Sequence, residues 1–158
     1  MDTPVTPAEV THSELRQLID RQQISDVLYR YASSVDRKDF ATLRSLFTDD
    51  ARGVYTDVAD LTGADEIVKW IDGMTVAKSW QHHKLTVYHI DFTGPDDAST
   101  LTYHTSHQTD IGDDTSVTLI VARYHDKLRR VGGTWKITEK IMESGWMEKR
   151  QRVEPAAS

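Results

Sequence analysis

Tyr31, Asp36, His83 and His107 are the residues of this sequence whose types suit the movement of a proton. Asp36 follows directly on an apolar helical stripe, Ile24, Val27, Leu28, Tyr31 and Val35, and does not fall on a solvated face. A carboxylate in that setting must be paired, or its pKa must rise. His83 is the candidate partner. An imidazole, with an unperturbed pKa of roughly 6.5, can take a proton from carbon and deliver one to a departing hydroxyl. Asp36 would fix its tautomer and stabilise the imidazolium. Tyr31 would hydrogen-bond an oxygen on which charge develops, and His107 would be a second acid. The plainer readings stay open beside these. Tyr31 can be a core tyrosine, Asp36 a helix cap, and either histidine a satisfied core residue. His82, His89, His104 and His125 read as solvated strand residues or oligomer contacts. A metal held by inward histidines and Asp36 is disfavoured, because the sequence contains no His-x-His pair.

The elements that must position these groups are legible in the hydrophobic periodicity. Thr11 and Glu14 have capping-box spacing and open a long helix that runs to about Ser34. Asp39 caps a second helix from about Phe40 to Phe47, ended by Asp49-Asp50, and Ala51 to Thr56 reads as a short strand. Thr62 to Glu66 reads as a turn into a third helix with Ile67, Trp70 and Ile71 inward and Gly73 as its stop. After Trp80 the period changes to alternation. His83, Leu85 and Val87 share one face of the first strand, and Leu101, Tyr103 and His107 share the more apolar face of the second. Ser116 to Leu128, the turn Val131-Gly132-Gly133-Thr134 and Trp135 to about Met147 complete a four-strand antiparallel meander. The expected fold is α+β, a cone-shaped barrel with three N-terminal helices packed on a curved antiparallel sheet. Between the two layers lies an apolar cavity for a small ligand. Tyr55, Trp70, Tyr103, Lys140 and Trp146 are candidates for its wall, and Phe47, Trp80 and Met142 read as core or wall.

With 158 residues the chain fits one domain, here residues 11–150, between tails at 1–10 and 151–158. A net charge of -6 argues against a nucleic-acid surface. No cysteine is present, which excludes disulfides, thiolate nucleophiles and zinc-thiolate sites. Neither a secretory signal pattern nor an apolar run of membrane-spanning length is found, so a cytoplasmic protein is expected. Large residues on both faces of the strands, such as Val117, Leu119 and Val121 opposite Ile120 and Ala122, point to a homo-oligomer.

The Tyr-x4-Asp helix end, the following Leu-x2-Leu-Phe-x-Asp-Asp-Ala, the Leu-Thr-Gly-x-Asp-Glu-Ile turn, the histidine-rich first meander strand and the Gly-Gly-Thr-Trp-Lys-Ile hairpin belong together. Over roughly Leu15 to Trp146 they resemble the SnoaL-like branch of the nuclear transport factor 2-like superfamily. In motif the chain is most similar to the branch holding scytalone dehydratase and bile acid 7α-dehydratase. The resemblance implies cofactor-free chemistry by a histidine paired with a carboxylate. Asp36 matches that carboxylate and His83 the histidine. Tyr31 matches a tyrosine of the bile acid enzyme, His107 a second polar pocket residue, and Lys140 a pocket arginine of the hexachlorocyclohexane dehydrochlorinase. That last enzyme has a lysine at the Tyr31 position, and its absence here argues against dehydrochlorination. Steroid isomerases of the superfamily place their carboxylate elsewhere. The resemblance therefore implies a dehydratase-type lyase acting on a small hydrophobic cyclic hydroxy compound, with a trimer favoured over a dimer. An isomerase or cyclase shares its proton-abstraction step, and a non-catalytic binding or assembly module shares its fold.

Overall fold

The computed structural model describes residues 10–153, and most of the tails expected at residues 1–10 and 151–158 lies outside them. Three helices and six strands follow in the order α1 (His12–Arg37), α2 (Phe40–Ser45), β1 (Phe47–Tyr55), β2 (Ala59–Thr62), α3 (Ala64–Thr75), β3 (Lys78–Phe92), β4 (Asp97–Asp110), β5 (Ser116–Val131) and β6 (Thr134–Gln151). The strands form one curved, unclosed sheet in the order β2-β1-β6-β5-β4-β3. The expected α+β cone is observed, with the four-strand meander as β3 to β6. The sheet is not wholly antiparallel, since β1 runs parallel to β6.

Local chemistry explains the helices. The Thr11 hydroxyl accepts from the Glu14 backbone N–H while the Glu14 carboxylate accepts from Thr11, which closes the capping box. α1 ends where Lys38 turns left-handed at φ 55° and its N–H bonds back to Ser34 and Val35. Asp39 then caps α2 by accepting from the Thr42 N–H. Ile24, Leu28, Tyr31 and Val35 pack into the core against Leu43, Phe47, Ile67, Leu128, Trp135 and Ile137. Near the far end of α1, Asp20 lies almost wholly buried and accepts from Arg130 at 2.6 Å and from the Trp135 indole at 3.4 Å. This clip fixes the helix to the β5–β6 hairpin.

Several boundaries differ from the expectation. α2 stops at Ser45, and Phe47 already begins β1. Asp49 and Asp50 are exposed strand residues of β1 beside the inward Phe47 and Ala51, not a helix stop. β2 takes up Thr62, expected in the turn before α3, and β6 runs on to Gln151 beyond its expected end near Met147; Arg52 and Asp60 pair across the β1–β2 edge at 2.8 Å. α3 continues two residues past Gly73, to Thr75.

The sheet owes its curvature to register shifts. β3 shifts against β4 between Val87 and His89, and β5 against β6 between Val121 and Ala122. At the second shift Gly145 comes so close to β5 that a Cβ there would stand 2.8 Å from the Val121 carbonyl oxygen. The first shift decides which face of β3 shares the interior with which face of β4. Near the turn, Ile90 pairs with Thr100; beyond the shift Val87 pairs with Thr102, Leu85 with His104 and His83 with Ser106.

Candidate active site

A cavity of about 820 Å³ opens between the inner face of the sheet, the end of α1 and α3. Asp36 lies in the last turn of α1, and His83 lies on β3, which packs against that helix. The Asp36 carboxylate accepts from His83 Nδ1 at 2.5 Å. It also accepts from the His83 backbone N–H, at 3.1 and 3.0 Å to its two oxygens. One carboxylate therefore fixes both the strand and the ring. The side chains are 18% and 8% exposed for Asp36 and His83. Burial pushes the Asp36 carboxyl up, but the hydrogen bonds from His83 outweigh it and hold the group below its ordinary range. With an ionised carboxylate at Nδ1, that nitrogen carries the proton, and Nε2 is left as the basic nitrogen at the cavity.

His104, on β4, is the second histidine of the cavity. Its ring stacks on that of His83 at 5.0 Å between centroids and lies 5.0 Å from that of Tyr124. It is 3% exposed, and neither ring nitrogen has a hydrogen-bond partner among the described residues. Burial above all, with the nearby Lys140 and the His83 ring, pushes its pKa down to about 3. The ring is thus neutral near pH 7, with one N–H donor and one lone pair unspent.

Three tyrosines, Tyr31, Tyr55 and Tyr124, line the cavity beside the histidines. The hydroxyls of Tyr31 and Tyr55 are 3.2 Å apart. Burial raises the pKa of all three phenols, so they remain O–H donors. Tyr55 stacks on Trp70 at 4.5 Å to form an aromatic wall. Trp146 also borders the cavity but is 60% exposed, which places it at the mouth.

Of the residues singled out from sequence, the structure brings Tyr31, His83, Tyr55, Trp70 and Trp146 to the cavity, with Asp36 bonded to His83. Two assignments are corrected. His107 stands on the opposite face of β4, across from His82 and stacked on it at 6.1 Å. Tyr103 shares that outer face, is 40% exposed and packs against Tyr88 with the rings tilted. The shift at Val87/His89 is the cause. Without it, the register of the hairpin tip would carry on and set His83 opposite His107; with it, the residues of β3 that precede the shift face the other side of β4. Lys140 is a third case. It points inward, not to solvent, but it is fully buried behind Tyr31 and Tyr124 and bonds Asp126 at 3.0 and 3.1 Å.

Sequence reasoning passed over His104 and Tyr124. His104 was hidden because the inward face of β4, Thr100, Thr102, His104 and Ser106, is polar and resembles a solvated face. Among the described residues no three His, Cys, Asp or Glu side chains gather as metal ligands, and no helix is long and apolar enough to cross a membrane.

The family model described as the SnoaL-like domain matches residues 16–140. No curated protein matches the sequence. Among solved structures, the chain is similar to a candidate scytalone dehydratase of Novosphingobium aromaticivorans DSM 12444. They share 19% identity over 84% of this chain and 88% of that one, with a TM-score of 0.78. The hexachlorocyclohexane dehydrochlorinase LinA-type3 of Novosphingobium barchaimii LL02 is 18% identical over 90% of this chain and 99% of its own, with a TM-score of 0.80. A candidate aromatic ring hydroxylase of Novosphingobium aromaticivorans DSM is 23% identical over 85% of this chain and 94% of its own, with a TM-score of 0.75. At these identities the likeness is one of fold.

Proposed function

The chain belongs to the SnoaL-like domain family, and from that premise we propose that it is a cofactor-independent lyase, a dehydratase of cyclic hydroxy-carbonyl compounds of polyketide, steroid or aromatic type. The observation that carries this reading is the Asp36–His83 pair at 2.5 Å on the wall of a large, aromatic-lined cavity. A module that only binds or assembles has no use for an imidazole whose tautomer is held by a carboxylate. Two structural neighbours, by their descriptions, carry out eliminations, which is consistent with this chemistry.

The steps follow from the geometry. His83 Nε2 takes the proton from the carbon beside the substrate carbonyl, and Asp36 stabilises the imidazolium that forms. The electron pair of the broken C–H bond moves to the carbonyl oxygen, and the O–H groups of Tyr31, Tyr55 and Tyr124 stand ready to receive the charge. The pair then returns to form the carbon–carbon double bond as the C–O bond to the hydroxyl breaks. The imidazolium supplies the proton with which that hydroxyl leaves as water, so His83 ends neutral. His104, with a pKa of about 3, is no proton source near neutrality. Its ring stacks on that of His83 at 5.0 Å and so helps to hold the imidazole in place.

An isomerase or cyclase would share the first step and return the proton elsewhere, so product analysis separates the readings. The experiment supplies purified protein with a panel of cyclic β-hydroxy ketones in the presence of chelator. Growth of conjugated-enone absorbance with loss of one water per turnover is expected. Rearranged product of unchanged mass would replace the dehydratase by an isomerase. Binding of the panel without turnover would leave a binding protein.

A further inference from the structure

Lys140 and Asp126 face each other across β6 and β5, wholly buried, and the ammonium spends itself on four contacts. Two are to the Asp126 oxygens, at 3.0 and 3.1 Å. The other two are to ring faces, with Nζ 4.1 Å from the centroid of Tyr31 and 3.8 Å from that of Tyr124. The two rings meet edge to face at 6.0 Å and 74°. Lys140 therefore has no path to a ligand of its own. It touches the cavity only through the tyrosines whose hydroxyls line it.

We propose that Lys140 is a positioning residue of this cavity: from behind the rings it fixes Tyr31 and Tyr124, so that their hydroxyls, with that of Tyr55, favour a negatively charged oxygen on the bound ligand. The inference rests on the dehydratase reading for its purpose, since an enolate oxygen is the anion to be received. It does not rest on that reading for its test. A buried ion pair adds little stability compared with apolar residues of the same volume. Stability alone thus gives no reason for a lysine and an aspartate at the centre of this fold. Their placement supplies one. The positive end of the pair lies against the electron-rich faces of two phenols. Asp126, the negative end, bonds the ammonium at 3.0 and 3.1 Å. A tyrosine held on its face by a cation and on its edge by a neighbouring ring keeps its hydroxyl direction when charge develops, and so need not reorganise.

Binding of a nitrophenol to the full chain tests this without any turnover, because the phenolate absorbs in the visible and reports its own ionisation. The wild type should bind the phenolate more tightly than the neutral phenol. In the double variant Lys140→Met with Asp126→Asn, which leaves no lone buried charge, this preference should fall about tenfold, one pKa unit of the bound phenol. Affinity for the neutral phenol should stay unchanged. Lys140→Arg keeps a cation that can lie over both rings and should retain the preference. No phenolate preference in the wild type, an equal preference in the double variant, or the same loss in Lys140→Arg would overturn the proposal. Should the double variant not fold, Tyr31→Phe and Tyr124→Phe keep both rings and the Lys140 contacts while removing the hydroxyls. Each should cost about tenfold in phenolate preference, and an unchanged preference in both would overturn the proposal too. Failure of the dehydratase reading would look different, as intact phenolate preference with no elimination product.

Discussion

Replacing Asp36 by asparagine tests the dyad at its most sensitive point. The side chain keeps its size, and its amide oxygen can still accept from the His83 backbone N–H now held at 3.0–3.1 Å. The fold should therefore survive, at a cost of about 1–3 kcal/mol for the lost charge-assisted bonding. Two losses fall on catalysis. First, the attraction between carboxylate and imidazolium disappears. With charge centres roughly 4 Å apart and an effective dielectric of about 20 it is worth about 4 kcal/mol, or about 10³ in rate. Second, an amide N–H turned toward Nδ1 would make that nitrogen the acceptor and put the proton on Nε2, where the base is needed. In the serine-protease triad the same substitution costs about 10⁴ in kcat through the wrong tautomer. We expect Asp36→Asn to lower kcat by about 10³–10⁴ with KM little changed, since the charge acts in the transition state. Steady-state kinetics on the best substrate of the panel, with circular dichroism to confirm folding, measures this. The stability difference has its own pH signature. A carboxyl held below its ordinary range stabilises the fold above its unfolded pKa and loses that contribution as pH falls through its folded value. The wild type's advantage over the variant should shrink below about pH 3.9. A folded Asp36→Asn protein that keeps a tenth or more of wild-type turnover would refute the reasoning.

Three further outcomes are expected. The neutral burial of His104 favours the fold fully above its unfolded pKa of about 6.5, and this is lost as pH falls toward its folded value of about 3. At pH 5 the loss from this group is about 2 kcal/mol, so urea denaturation should show a pH 7.5-to-5 drop that is smaller by that amount in His104→Gln. Gly145→Ala should lower stability by about 1–3 kcal/mol, because the added methyl stands 2.8 Å from the Val121 carbonyl and β5 must yield; unchanged thermal denaturation would contradict that close approach. Trp80, Tyr88, Trp146 and Met147 are 58%, 56%, 60% and 70% exposed, and an assembly of copies, a trimer before a dimer, should cover such residues. A monomer in sedimentation at micromolar concentration would count against it.

What could be read before the structure depended on whether one element sufficed to decide it. α1, with its capping box and apolar stripe ending at Asp36, is a local feature and was legible down to the cap. The face of β3 that carries His83 was legible too, since alternation is a local property. Which histidine of β4 joins it was not. That depends on a one-residue shift at Val87/His89, which inverts the pairing yet leaves no composition signal in either strand. The hydrophobic pattern then misled, because the cavity requires polar groups inward and leaves Leu101 and Tyr103 on the outer face. β1 was half missed for a related reason. Phe47 and Ala51 bracket two acidic residues that look like a helix end, and only the pairing of the flanking Phe47 and Arg52 with β6 makes the stretch a strand. Lys140 matched a pocket position by likeness, but nothing local showed that Asp126 would lie opposite it.

The central claim is that His83 moves the proton. Its most direct test is turnover of a cyclic hydroxy-carbonyl substrate by His83→Ala, with His82→Ala as control and chelator in every assay. His82 is the neighbouring residue on the opposite, exposed face of β3. The account predicts a loss of about 10²–10⁴ in kcat for His83→Ala, as for a positioned acid-base group. It predicts wild-type rates for His82→Ala and no effect of the chelator. Undiminished turnover in His83→Ala, or activity that the chelator abolishes, would contradict it.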